Sequence, residues 1–217
     1  MEMLNVGLKQ WAIKIAKSFQ HFRLAKVINQ TVRQTNNTLT SCSEIVLHQP
    51  TGVLYLACST PQSRSQWTPA LSLLNASGRS QEDYIATYDP KNSRITRLKL
   101  SGLPSGLSVH GMDVVPSTSN PKELFVYLVN HQPFIGKDPL EFGANSTIEI
   151  FKTRVGGQTL THLHTVHSPV IIAPNDLVGS PDGKSFHFTN DAGSKTGLAS
   201  PLRYLTIQTI SQKRDSR

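Results

Sequence analysis

The chain has 217 residues, 37% of them hydrophobic and 17% charged, with a formal net charge of +8. That is enough for one ordinary domain with a short appendage, and too apolar for a disordered chain. No run of about 18 apolar residues is present, so no segment reads as a membrane-spanning helix, and two cysteines exclude a disulfide-framework miniprotein or a Cys-rich zinc module. The positive charge is confined to the ends. Residues 1–40 carry six basic residues and one acid, residues 203–217 carry four and one, and residues 41–202 carry twelve of each sign. A nucleic-acid-binding domain needs a basic face on its folded body, so nucleic acid is not expected as a partner.

In chain order, Leu4, Leu8, Trp11, Ile15, Phe19 and Phe22 recur at three- and four-residue spacing and predict an amphipathic helix over 1–28. Lys9, Lys14, Lys17 and Arg23 interrupt every apolar stretch, so this segment has no signal-peptide core. It suits a helix lying against the body, or a basic helix on a membrane surface or a transit peptide; the first reading is slightly favoured. Residues 29–41 read as a polar linker. From residue 42 the pattern is β: Val53–Ala57, Tyr84–Tyr88, Ile95–Leu100, Leu124–Val129, Thr147–Phe151, Leu160–Val166 and Phe186–Thr189, separated by turn signals such as Gln49-Pro50-Thr51-Gly52 and Pro181-Asp182-Gly183. No helical pattern interrupts them, so an all-β region is expected over 42–198, followed by a basic C-terminal tail over 199–217. Cys42 and Cys58 can pair, stay free or pair elsewhere, and sequons at Asn29, Asn36, Asn75 and Asn145 suit secretion or chance equally.

The β region repeats. Strands opening at Glu44, His110 and Asn175 are spaced by 66 and 65 residues, and each is followed by a turn and a second strand. A fixed period of short strands, four to a unit, predicts a partial β-propeller of about three blades. In a propeller the first strand of each blade lines a central channel, so Glu44, His110 and Asn175 are expected to converge there. Carboxylate and amide oxygens in such a place suit calcium; ordinary turn chemistry is the competing reading. His162, His164 and His167 are read as strand-surface residues, with His162 and His164 on one face and His167 on the other. There is no G-x-S-x-G elbow, phosphate-binding P-loop or H-E-x-x-H helix.

Three stretches, taken together, resemble one known family: Val109-His110-Gly111-Met112; Leu128-Val129-Asn130-His131; and the run from Thr159 to Asp191 with its NDLV and FTND elements. Over residues 42 to about 198 they resemble the serum paraoxonase/arylesterase family, calcium-dependent six-bladed propellers related to the gluconolactonase and SMP-30 group. The resemblance implies that His110 and His131 activate water for attack on an ester or lactone carbonyl. It implies that Asn175 binds a catalytic calcium, and that Asp176, Glu44 and the Met112 carbonyl bind a second, structural one. It implies a small ester or lactone as substrate, a secreted or membrane-associated setting, and a Cys42 that ties the N-terminal segment to the last blade. Two departures weigh against activity. The family places a carboxylate where Ser43 stands, and about three blades of six are seen, so the chain reads as truncated. The expected function is therefore a calcium-dependent ester or lactone hydrolase, weak or inactive, with a non-catalytic interaction module as the alternative. An open propeller face is expected to allow self-association.

Overall fold

The computed structural model describes residues 39, 41–196 and 206–211. The helix expected over 1–28 lies outside the described residues, as does most of the linker. The chain divides after Thr40, and the account below concerns the unit from Ser41 onward.

This unit is built mainly from β-strands. The first sheet runs β1 (Cys42–His48), β2 (Val53–Cys58), β5 (Tyr84–Asp89), β6 (Arg94–Arg97), all antiparallel. A two-stranded hairpin of β3 (Trp67–Thr68) and β4 (Leu73–Leu74) is inserted between β2 and β5. The second sheet contains β8 (Val109–Pro116), β9 (Glu123–Pro133), β10 (Ala144–Arg154) and β11 (Thr159–Val166). Its outer edge is closed by β7 (Lys99–Ser101), parallel to β11. The third sheet is β12 (Pro174–Gly179), β13 (Ser185–Asn190) and β14 (Thr206–Ser211).

Strand alternation explains how the sheets stack. On β9, Leu124, Val126 and Leu128 join a core with Tyr55, Ile85 and Met112, whereas Tyr127 and Val129 join a second core with Phe186 and Phe188. A strand whose successive side chains are all apolar is buried on both faces, and β9 is such a strand from Leu124 to Val129. One edge strand of each sheet adjoins the next, β1 beside β8 and β8 beside β12. At Gly111 an added Cβ would lie 2.2 Å from the Asn175 carbonyl oxygen and 2.7 Å from the Asp176 Cα. Only glycine permits that backbone contact.

Two features differ from the sequence reading, and a third settles a pairing it left open, against the tie to a last blade that the family resemblance implies. Short helices at Pro61–Gln66 and Pro139–Phe142 interrupt the β region. Both start at a capping side chain followed by proline: Thr60 Oγ1 accepts from the Ser63 amide and Asp138 Oδ1 from the Leu140 amide. They are too short to show helical periodicity. The segment assigned to a basic tail supplies β14, whose alternating Thr206-Ile207-Gln208-Thr209-Ile210 pairs with β13. Cys42 forms a disulfide with Cys58, its register partner on the adjacent strand, so β1 and β2 are tied within one hairpin.

Replacing Gly111 with alanine would force two backbones apart, since a carbonyl cannot yield as a flexible side chain does. Gly111→Ala is expected to cost about 2–4 kcal/mol, read from urea unfolding, whereas Gly106→Ala, with open space around it, is expected to be near neutral.

Candidate functional site

The adjacency of β1, β8 and β12 decides which polar side chains meet. His131, near the end of β9, is 2% exposed. Its Nδ1 lies 2.9 Å from Ser146 Oγ on β10, and its carbonyl accepts a 2.7 Å hydrogen bond from the Trp67 indole. His110, second residue of β8, is half-buried, and its ring centroid is 5.4 Å from that of His131. His110 Nδ1 and His131 Nε2 are both buried and make no well-formed hydrogen bond, although the Pro174 carbonyl lies near enough to His131 to favour its protonated form.

Burial is the main influence on both rings. It lowers His110 to about 4, helped by the positive charge of Arg64 and opposed by Asp191. It holds His131 well below the usual histidine range, with His110 and Arg64 acting in the same direction and the Pro174 carbonyl opposing. Both imidazoles are neutral at pH 7, each with a nitrogen able to accept or donate a proton.

Arg64 was not singled out by sequence. It sits in the Pro61–Gln66 helix, where no periodicity or motif marks it. Its Nη2 donates to Ser43 Oγ at 2.9 Å, and Ser43 Oγ in turn donates to the His110 carbonyl at 3.0 Å. Arg64 Nε is buried without a partner. Burial lowers the affinity of this guanidinium for its proton, and Asp83 offsets part of that effect.

The remaining residues of interest fall into place around this group. Asn175 Nδ2 donates to Asp191 Oδ2 on the loop after β13. Asp176 Oδ1 accepts from the Leu177 amide at 2.7 Å, and Glu44 Oε1 from the Ile45 amide at 3.2 Å. Met112 directs its side chain into the core, 2% exposed. Glu44 and Asp176 thus lie on the two strands that flank the one carrying Met112.

The donor set separates the two calcium sites that the family resemblance implies. Calcium takes 6–8 oxygens. At the catalytic position Ser43 Oγ already accepts from the Arg64 guanidinium, so a fixed cation stands at an oxygen the ion would use. The residues do not fit a catalytic calcium. Among the described residues no group of three or more His, Cys, Asp or Glu is placed to hold a metal. Two carboxylates and a carbonyl on three adjacent strands do have the chemistry for a hard cation, which leaves the second site open as a proposal.

His162, His164 and His167 do not converge. A bulge opposite Ile150 and Phe151 places His162 beside Phe151 and pairs His164 with Ile150. His162 Nε2 contacts Glu149 Oε2 at 2.9 Å, His164 is exposed, and His167 lies beyond the end of β11. An open cleft of about 410 Å³ lies at the far end of β10 and β11, where Lys152 and Glu123 pair at 2.7 Å. Neither His110 nor His131 lines it. No family model and no curated protein matches the chain.

A histidine with an ordinary affinity in the unfolded chain titrates near 6.5, whereas His110 in the folded chain titrates at about 4. Between those values the unfolded state binds more protons, so stability is present above pH 6.5 and is lost as pH falls toward 4. Urea midpoints measured from pH 7.5 to 4.5 are expected to fall steeply, and His110→Gln is expected to flatten that fall.

Proposed function

We propose that the three sheets are successive blades of a propeller of the paraoxonase/arylesterase type, and that His110 and His131 form the centre of a weak ester- or lactone-hydrolysing site. The observation that carries the reading is the meeting of two neutral imidazoles, 5.4 Å apart between centroids, from strands β8 and β9 beside the ends of β1 and β12. A neutral imidazole can take the proton of a water molecule as its oxygen attacks a carbonyl carbon, and can return that proton to the departing alkoxide. His110 is half-buried and so is the ring that meets water; His131, fixed by Ser146, is the deeper partner. No step is derived through calcium, because the residues at the catalytic position do not suit it.

A second reading, a non-catalytic interaction module, draws support from the same contacts. Ser43 and Asn175, which the resemblance makes ligands, are engaged with Arg64 and Asp191. Self-association through an uncovered blade face and attachment of residues 1–28 to a membrane surface belong to this reading as proposals. The structural calcium is common to both, with Glu44, Asp176 and the Met112 carbonyl as its holders.

The purified chain is expected to turn over phenyl acetate slowly, and His110→Gln or His131→Gln to reduce that rate by about 100-fold or more, in line with the loss of general-base catalysis. Turnover retained in both variants would refute the histidine assignment; no turnover in the parent chain would favour the interaction module. Separately, calcium chloride is expected to raise the melting temperature of the parent chain and to leave that of Asp176→Ala unchanged. A rise of equal size in both would remove the structural calcium from the account.

A further inference from the structure

Buried nitrogen atoms without a hydrogen bond are uncommon in native proteins and call for an explanation. Among the described residues the side-chain atoms of this kind are Arg64 Nε, Arg79 Nε, His110 Nδ1 and His131 Nε2. Arg79 uses its other nitrogens on the Ser80 and Leu107 carbonyls and on Gln81. The other three atoms belong to one neighbourhood. Arg64 is linked through Ser43 Oγ to the His110 carbonyl, and the rings of His110 and His131 are adjacent.

The charges around this neighbourhood do not satisfy the guanidinium. Asp83 gives its two oxygens to Ser59 Oγ and the Val109 amide. Asp191 Oδ2 accepts from Asn175. No carboxylate lies within ion-pair distance of Arg64 among the described residues. The cation therefore holds one contact to a neutral hydroxyl and keeps donor capacity in hand. Ser43 is exposed while Arg64 and His110 are half-buried, so the group opens to solvent on the Ser43 side.

We propose that Arg64, with His110 and His131, forms a metal-free binding site for a small carboxylate. The guanidinium is the site's permanent cation, standing where the family resemblance expects a calcium ion. A planar guanidinium donates through two parallel N–H groups and so matches the two oxygens of a carboxylate. A neutral histidine at the rim adds a third donor. A divalent cation is repelled by the same group.

The inference concerns binding and does not rest on hydrolysis. A chain inert toward phenyl acetate that still binds acetate would retain it, and an active chain that ignores acetate would lose it. Sodium acetate is the probe, titrated into the full chain at neutral pH and constant ionic strength. The readout is the ring C–H resonances of His110 and His131, assigned by their loss in His110→Gln and His131→Gln. Saturable shifts with acetate, and none with sodium chloride, are expected. Arg64→Gln is expected to weaken binding tenfold or more. Ser43→Asp places a tethered carboxylate beside the guanidinium and is expected to abolish acetate binding in a folded chain, which keeps the test decisive if Arg64→Gln does not fold. Absence of a saturable acetate shift would overturn the inference. So would equal acetate affinity in the parent and Ser43→Asp chains, or a saturable shift of these resonances by calcium chloride in the Asp176→Ala chain, where the proposed structural calcium is removed.

Discussion

The contact between the backbones of β8 and β12 at Gly111 is the constraint on which the site depends. Two strands of different sheets can lie this close only where one of them has no side chain, and an added Cβ there would meet a carbonyl oxygen at 2.2 Å. The approach sets His110, one residue earlier, beside the strand that begins at Pro174 and carries Asn175. It also brings Asp191 near enough for its charge to act on His110. A wider separation would leave the imidazole wet and its proton affinity ordinary, because burial is the largest cause of its shift.

Two buried carboxylates hold neighbouring sheets at that spacing. Asp83, at the entry to β5, accepts from the Val109 amide at 3.0 Å, and Asp113, on β8, accepts from the Gly179 amide at 3.0 Å. Each acid belongs to one sheet and bonds a main-chain donor of the next. A buried amide left without an acceptor costs about 1–3 kcal/mol, so each carboxylate resists separation of a pair of sheets. Gly179 also gives room to the Tyr127 ring, whose hydroxyl donates to the Ser180 carbonyl at 2.6 Å. Within the middle sheet, Glu149 is 1% exposed and accepts from Thr147, Asn130 and Thr165 while contacting His162. Asn130 Oδ1 in turn accepts from the Ser108 amide. This network fixes the strand position immediately before His131.

Sequence made the strands legible because each is a short alternating or continuous apolar run between strong turn signals. It made the repeat legible because the first strands recur at nearly constant spacing. Those two facts were enough to bring Glu44, His110 and Asn175 to neighbouring strands. Side-chain partners were less accessible. Arg64 lies in a one-and-a-half-turn helix between strands, where no period identifies a residue, and its role comes from a contact with Ser43 twenty-one positions away. The parity argument for the β11 histidines failed at a bulge: with an extra residue opposite Ile150 and Phe151, His162 and Thr165 both reach Glu149 although their numbers differ by three. A bulge leaves no mark in a polar strand sequence. β14 was obscured by the three basic residues that follow it, Lys213, Arg214 and Arg217, which drew attention to the net charge of the last fifteen positions rather than to their alternation.

Ser43 is the residue at which sequence and structure bear on each other most directly. A neutral hydroxyl at this position offers a cation less than a carboxylate would, and that is its first consequence. The geometry adds a second. A hydroxyl can donate and accept at once, and Ser43 Oγ does both, donating to His110 and accepting from Arg64. A carboxylate could accept from the guanidinium but could not donate to the carbonyl. The serine therefore couples a fixed positive charge to the backbone of the strand carrying His110, and that charge is among the causes that keep both imidazoles neutral. A site arranged this way keeps its cation whether or not any metal is in solution.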